Sequence, residues 1–236
     1  MKPWDEYEIK ARYIPTFLSV VPLVQLLLLI IDKTFWLELI SNISWMLIAN
    51  VSLSFIIMLS LVQIQCSLGK GWIEESVFGK GGERFPTTNM LLYAGGLISN
   101  EGKERIRQKI SNLSGCTFSS QLEEKKDPAN ARLQAREASG FVRALVGQGR
   151  MTIQYNIRYG FFRNLIAGII WSSIGSIGCS VFYAINGNLK LAISFTIYFI
   201  IYLMMFIFKR TILENLAFLY ADTLYNEFLY QNKGVN

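Results

Sequence analysis

The sequence predicts a mainly α-helical, polytopic membrane protein in which two transmembrane helical hairpins flank a mostly helical cytosolic domain. The chain of 236 residues is 52% hydrophobic and 17% charged, whereas soluble domains carry about 25% charged residues. Four apolar runs are about as long as the ~20 residues that cross a bilayer as a helix. They are residues 14–31, 43–64, 164–184 and 191–208. A polar block, residues 70–163, separates the second run from the third.

The basic residues predict the orientation of the chain in the membrane. Of the 23 Lys and Arg residues, three lie in residues 1–12, 15 in the polar block and three after residue 208, so 21 share one side if the chain crosses four times. Cytoplasmic loops are enriched in Lys and Arg, so we expect both termini and the polar block in the cytoplasm, at a bacterial inner membrane. The predicted segments are a cytosolic N-terminal segment (1–12), a transmembrane hairpin (13–66), a cytosolic basic sensor domain (67–163), a second transmembrane hairpin (164–208) and a cytosolic C-terminal helix (209–236).

The composition argues against most catalytic and metal chemistry. The chain has no histidine, the commonest general base and metal ligand. Its three cysteines, Cys66, Cys116 and Cys179, have no CxxC spacing that would indicate a zinc site or a disulfide framework. We therefore expect a protein without enzymatic activity, cofactor or metal site.

Local signals predict helices in the polar block. Pro86 followed by two threonines starts a helix that two glycines end at residue 95, and Ser99 starts a second helix that runs to about residue 112. Asp127 followed by Pro128 starts a third helix that runs to about residue 146, because proline is favoured at the first helical position. Residues 151–155 are a candidate short strand.

The third apolar run carries small residues every four positions. A stripe of this kind lets helix backbones approach closely in lipid. It predicts packing within the chain against the fourth run, or else a subunit contact or a pore-facing surface. The stripe is Gly168, Ser172, Ser176 and Ser180.

The second apolar run carries neutral polar residues, among them Asn50 and Ser54. They predict hydrogen bonds between helices or the lining of a wet pore built from several subunits. None of the four runs has an Asp, Glu, Lys or Arg near its centre. Proton pumps and voltage sensors need such groups, so both classes are disfavoured.

The polar block holds 15 basic and nine acidic residues, a net charge of +6. Three explanations compete: the bias that sets topology, contact with anionic headgroups, and a phosphate-bearing ligand bound by arginines with a tyrosine stacked on its base. For the third, the candidate ligand-binding residues are Lys103, Arg105, Arg107, Lys109, Arg132, Arg136 and Tyr155. The residues that we expect to couple the domain to the third apolar run are Arg158, Tyr159, Gly160, Arg163 and Asn164.

Three stretches carry a resemblance to known proteins. They are Phe85-Pro86-Thr87-Thr88, Asp127-Pro128-Ala129-Asn130-Ala131 and Tyr159-Gly160-Phe161-Phe162-Arg163-Asn164-Leu165. They resemble the PTT, DP and YGFxRNL stretches that occur in this order in a broad, largely uncharacterised group of bacterial four-span membrane proteins. The chain is also similar to membrane effectors of bacterial antiphage systems, in particular the channel-forming effector of the Hailong type.

The Hailong-type resemblance implies a function in antiviral defence. It implies a homo-oligomeric ion channel that a nucleotide or oligonucleotide from a partner nucleotidyltransferase opens or shuts, which depolarises the infected cell and aborts the infection. We expect a homotetramer. The alternative is a non-channel scaffold or sensor that recruits a protein or DNA partner to the inner membrane, for which salt-sensitive DNA binding without conductance is the expected behaviour.

Overall fold

A computed structural model of the chain describes residues 5–30 and 43–231, with the side chains of residues 5–30 and 55–231. The structure is mainly helical, with 86% of residues in helices and no strand in the part of the chain that it describes. The helices are α1 (Glu6–Ile30, π-helical over Ile9–Tyr13), α2 (Ile43–Leu68), α3 (Glu75–Phe78), α4 (Pro86–Asn89), α5 (Asn100–Ser114), α6 (Gln121–Lys126), α7 (Pro128–Val146), α8 (Arg150–Ala167), α9 (Ile169–Ile185), α10 (Leu189–Ile207) and α11 (Lys209–Tyr230).

The chain forms two compact units. The first, here called the apolar unit, comprises Met1–Ile73 and Gly160–Lys209; the second, the polar unit, comprises Glu74–Tyr159 and Arg210–Asn236. The C-terminal helix α11 therefore shares a unit with the central block, whereas the sequence-based division listed residues 209–236 as a separate segment. The hydrophobic core of the polar unit explains this difference.

That core is built by one face each of α5, α7 and α11. Helix α7 contributes small residues spaced three to four positions apart, which lets its neighbours approach closely. Helix α11 contributes large side chains. The chain after α4 adds Met90, Leu91 and Leu92 to the same core. The core residues that the three helices contribute are Ile106, Ile110, Ala131, Ala135, Ala138, Val142, Val146, Tyr220, Ala221, Leu224, Tyr225 and Phe228.

The helices that are long and apolar enough to cross a membrane lie mostly in the apolar unit. Three candidate spans lie in the described residues: Glu6–Ile30, Phe55–Phe78 and Leu189–Ile207. Helices α8 and α9 pass the same test only as a pair, bent by 47° at the break between them. These helices are compatible with a membrane location.

The cap signals confirm two of the predicted helix starts. The Ser99 side chain accepts a hydrogen bond from the backbone N–H of Gly102, and the Asp127 side chain accepts one from Asn130. Such side-chain oxygens satisfy N–H groups that have no partner inside the helix. The helix predicted from Pro86 is shorter than expected and ends at Asn89.

One prediction about local structure is wrong. The candidate strand at residues 151–155 belongs to α8. The chain between α5 and α7 also contains the short helix α6, which was not predicted and which begins with a capping box in which the Ser120 side chain and backbone exchange hydrogen bonds with Glu123.

This capping box predicts a shifted titration. Hydrogen bonds from the backbone N–H and the hydroxyl of Ser120 lower the pKa of Glu123. Because the pKa of Glu123 is lower in the folded state than in the unfolded state, its ionised carboxylate stabilises the fold at pH values above the ordinary carboxyl pKa. This stabilisation is lost as the pH falls through the lowered pKa. We expect Ser120→Ala, which removes only the hydroxyl donor, to raise the pKa of Glu123 part of the way back. NMR titration of the side-chain carboxyl tests this, and an unchanged pKa would contradict it.

Candidate functional site

Two of the predicted ligand-binding cations are buried in the polar unit. Lys103 is 1% exposed and donates its ammonium proton to the backbone carbonyl of Tyr93 at 3.1 Å. Arg107 is 5% exposed, and its guanidinium lies over the rings of Tyr93 and Phe118, 4.5 and 4.8 Å from their centroids. It also donates to the carbonyl of Ser119. Both cations therefore hold loops onto α5, and their burial leaves neither exposed to a ligand.

Lys109 also has an internal role. Its ammonium group donates to the carbonyls of Phe228, Leu229 and Gln231, with the Leu229 carbonyl at 3.0 Å. Carbonyls at a helix C-terminus have no partners inside the helix and carry partial negative charge, so a lysine there stabilises the end of α11. Arg105 is the predicted cation of α5 whose side chain is exposed.

The predicted cations of α7 are exposed. Arg132 and Arg136 lie one turn apart on the outer face of the helix. Arg132 is 3.9 Å from the carboxylate of Glu83, with both side chains about half exposed, and such a pair contributes little to stability. Tyr155 is half-buried in α8, with the guanidinium of Arg158 over its ring at 5.3 Å.

A cavity of about 330 Å³ lies beside Arg132 in the polar unit. This volume is within the range of roughly 300–1,000 Å³ that is usual for small-molecule sites. Apolar atoms and two cations of neighbouring helices form its wall. The lining residues are Leu92, Tyr93, Ala94, Gln121, Glu124, Lys125, Pro128 and Arg132.

The one carboxylate that lines this cavity, Glu124, is already occupied. It is buried and accepts hydrogen bonds from the backbone N–H groups of Tyr93 and Ala94 at 3.0 and 2.8 Å. The Tyr93 hydroxyl donates a hydrogen bond to Glu104. This hydrogen bond is the main cause of a raised pKa of Tyr93, and burial is the second cause. Lys125 and Arg132 are both exposed, so two cations of the lining are available to an anion.

The sequence-based candidate set missed Lys125 and Glu124. The sequence signals placed a helix start at Asp127 and none at Gln121. The Ser-x-x-Glu spacing of Ser120 and Glu123 is the signal that predicts this helix, and with it the position of Lys125 beside the start of α7.

Two glycines of the third apolar run, Gly168 in the small-residue stripe and Gly175 beside it, pack against α1. A Cβ atom built on Gly168 would lie 1.9 Å from the Ser19 hydroxyl, and one on Gly175 would lie 2.1 Å from the backbone nitrogen of Leu23. Ser172 and Ser176 are buried in the same unit. Gly168 of the stripe therefore packs within the chain against the first apolar run. The predicted alternatives for Ser172 and Ser176, packing within the chain or a subunit or pore contact, stay predictions.

Ser180, the last residue of the stripe, contacts the fourth run. Its hydroxyl bonds to the carbonyl of Ala192 at 3.0 Å and to the hydroxyl of Thr196 at 2.7 Å. Helix α9 thus contacts both α1 and α10. The side chains of Asn50 and Ser54, the other predicted pore or subunit contacts, lie outside the described residues.

A buried hydrogen-bond network connects four segments of the apolar unit. The Gln65 amide donates to the hydroxyl of Ser19 at 3.2 Å and to the carbonyl of Asn164 at 2.7 Å. The Ser19 hydroxyl bonds to that of Tyr202 at 3.2 Å, and the Asn164 amide donates to the carbonyl of Ala11 at 2.6 Å. The helices α1, α2, α8 and α10 are therefore held together by polar contacts that lipid cannot replace.

This network lies where α8 and α9 bend. The Asn164 carbonyl accepts both the Gln65 amide and the backbone N–H of Gly168, the residue at the break between the two helices. Of the other predicted coupling residues in this unit, Arg163 is buried, and a Cβ atom on Gly160 would lie 3.0 Å from that of Ala11.

The remaining coupling residues belong to the polar unit. Tyr159 is buried, donates its hydroxyl proton to Glu74 at 2.8 Å and meets the ring of Phe85 edge-on at 5.4 Å. Arg158 is exposed. No group of three or more His, Cys, Asp or Glu side chains that could hold a metal ion occurs in the described part of the chain.

Comparisons with known proteins add no assignment: no family model, curated protein or solved structure matches this chain.

Proposed function

We propose that this chain is a membrane effector of antiphage defence, a homo-oligomeric ion channel that a nucleotide or oligonucleotide ligand gates by binding to the polar unit. The observation that carries this proposal is the cavity beside Arg132, in a protein whose other unit consists of apolar helices long enough to cross a membrane. The Hailong-type resemblance is a second support, and it implies a partner nucleotidyltransferase as the source of the ligand.

The cavity has the chemistry that a phosphate ester requires. A guanidinium binds phosphate through paired N–H donors, and a lysine adds a compact positive charge. Arg132 and Lys125 supply these groups, and the apolar atoms of Leu92 and Pro128 offer a surface to a base or sugar. The internal partners of Glu124 reduce its repulsion of an anion.

We propose four crossings, with both termini and the polar unit in the cytoplasm of a bacterial inner membrane. In chain order, the first crossing is α1 and the second is α2. The end of α8 together with α9 forms the third crossing, and α10 forms the fourth. The excess of Lys and Arg on one side of such a chain supports this orientation.

A polar face on α2 supports contact between copies of the chain. Ser60, Gln63 and Ser67 are exposed at a spacing of three and four residues, which places them on one side of the helix. Gln63 and Ser67 have no hydrogen-bond partner among the described residues. Lipid tails cannot satisfy a primary amide, so we propose that this face meets water or further copies around a pore. A tetramer is the working stoichiometry.

Coupling is proposed to run along α8 to its bend. A ligand shifts a two-state equilibrium only through different affinities for the two states. We propose that the network of Gln65 and Asn164 at the bend differs between the two states, because the Asn164 carbonyl connects the helical N–H group at the break to a side chain of α2.

The direct test is the conductance of the purified full-length protein in planar bilayers, with and without a bacterial nucleotide extract. Lys125→Ala/Arg132→Ala is expected to shift the response to at least tenfold higher extract concentrations, because each charge-assisted contact contributes about 1.5–3 kcal/mol. The control Lys126→Ala/Arg143→Ala removes the same charge from the same two helices outside the cavity and is expected to respond like the wild type.

Three outcomes would each contradict a different part of this proposal. An unchanged response in the cavity variant would remove the cavity from the mechanism. An equal loss in both variants would indicate a general effect of charge. Silence under all conditions, from folded and oligomeric protein, would overturn the channel and favour the scaffold that recruits a protein or DNA partner.

A further inference from the structure

A second cavity of the polar unit, about 450 Å³ in volume, combines an apolar wall with two guanidinium groups. The wall includes Val77 and Phe78, which are buried, and Phe218 of α11. The guanidinium groups belong to Arg84 and Arg210, both exposed. The proposed gating mechanism does not use this cavity.

Chain connectivity places one side of this cavity close to the end of a membrane span. Val77 and Phe78 end the continuous helical stretch Phe55–Phe78, which holds a candidate span. Arg210 follows the last residue of another candidate span, Ile207, by three positions. Three residues reach at most about 10 Å even when fully extended, so Arg210 lies at the level of the lipid headgroups if α10 crosses the bilayer.

Both guanidinium groups retain donors for a ligand. Arg210 donates from Nε to the carboxylate of Glu214, one turn along α11, at 2.8 Å. Arg84 makes a long contact of 3.4 Å to the carbonyl of Val77. Each guanidinium has five N–H donors, so most of them remain for an anion. The pair with Glu214 restricts the orientation of Arg210 without occupying its two terminal nitrogens.

We propose that this cavity is a binding site for an anionic glycerophospholipid, whose phosphodiester group lies between Arg84 and Arg210. The apolar wall accommodates the glycerol backbone and the first part of an acyl chain. A soluble phosphate uses only the guanidinium groups, whereas a lipid at the membrane surface uses the apolar wall as well. Basic pockets beside membrane helices bind anionic headgroups by the same chemistry.

The test measures phospholipid bound to the full-length protein in detergent by native mass spectrometry. After delipidation, the protein is titrated with phosphatidylglycerol or, separately, phosphatidylcholine. The wild type is expected to retain phosphatidylglycerol at least tenfold more tightly than phosphatidylcholine. Arg84→Gln/Arg210→Gln is expected to lose this preference, because two charge-assisted contacts are removed. The control Arg105→Gln/Arg136→Gln removes two exposed arginines outside the cavity and is expected to keep it.

Two further measurements separate the alternatives. Glycerol 3-phosphate, added in excess, is expected not to displace the lipid; displacement at equal concentrations would show that the cavity takes a free phosphate and would overturn the lipid assignment. Glu214→Gln removes the one carboxylate of the lining and is expected to tighten phosphatidylglycerol binding several-fold. Unchanged lipid retention in the double arginine variant, confirmed as folded by circular dichroism, would overturn the site itself.

Discussion

Substitution of Gly175 by alanine is expected to destabilise the apolar unit by about 3 kcal/mol or more. An added Cβ atom would lie 2.1 Å from the backbone nitrogen of Leu23 and 2.3 Å from the backbone carbonyl carbon of Pro22. Backbone atoms of α1 cannot move aside as a flexible side chain can, so α1 and α9 have to separate. Unfolding by SDS in mixed micelles, followed by circular dichroism, measures the change.

Two other glycines provide graded controls for this prediction. A Cβ atom on Gly178 would meet only the side chain of Leu26, at 2.5 Å, so alanine there is expected to cost less. Gly140 in α7 has no atom within 4 Å of the added Cβ, and Gly140→Ala is expected to be neutral or to stabilise by about 0.5–1 kcal/mol. Equal stability of the Gly175 and Gly140 variants would contradict the α1–α9 contact.

Substitution of Arg107 by alanine is expected to destabilise the polar unit by about 3 kcal/mol. The guanidinium lies between the rings of Tyr93 and Phe118 and donates to the carbonyl of Ser119. A desolvated cation–π contact contributes about 2 kcal/mol, and a hydrogen bond from a charged group about 1.5–3 kcal/mol. Thermal unfolding of the full-length protein, monitored by circular dichroism, measures the loss.

Arg105, two residues earlier on the same helix, is the matched control. Its side chain is exposed, and surface substitutions usually change stability by less than about 0.5 kcal/mol. Arg105→Ala is therefore expected to unfold like the wild type. A similar loss in both variants would show that the net charge of α5, and not the buried position of Arg107, determines the effect.

Short-range signals predicted the starts of three helices of the polar unit. Ser99 and Asp127 start α5 and α7 where expected, because a cap depends on the residue itself and on N–H groups two or three positions away. The same kind of signal at Ser120 and Glu123 starts α6. Pro86 predicted the start of α4 correctly, but the predicted length of this helix was wrong.

The roles of the basic residues on α5 depended on longer-range contacts. Lys103 with Arg107, and Arg105 with Lys109, are each one turn apart, so helical spacing describes both pairs equally well. Lys103 and Arg107 are buried because the chain around Tyr93 and Ser119 packs over them. Lys109 is occupied by the end of a helix that lies more than a hundred residues later in the chain.

Composition, the length of the apolar runs and the cap residues were sufficient to predict that the chain is mainly helical. They were also sufficient to predict apolar helices that are compatible with a membrane. Which helices touch was decided only by the folded structure. Lipid tails are as apolar as the side chains of a span, so hydropathy does not distinguish a face that contacts lipid from one that contacts a helix. The small residues of α9 indicated a close contact, and the backbone of Leu23 in α1 identifies the partner.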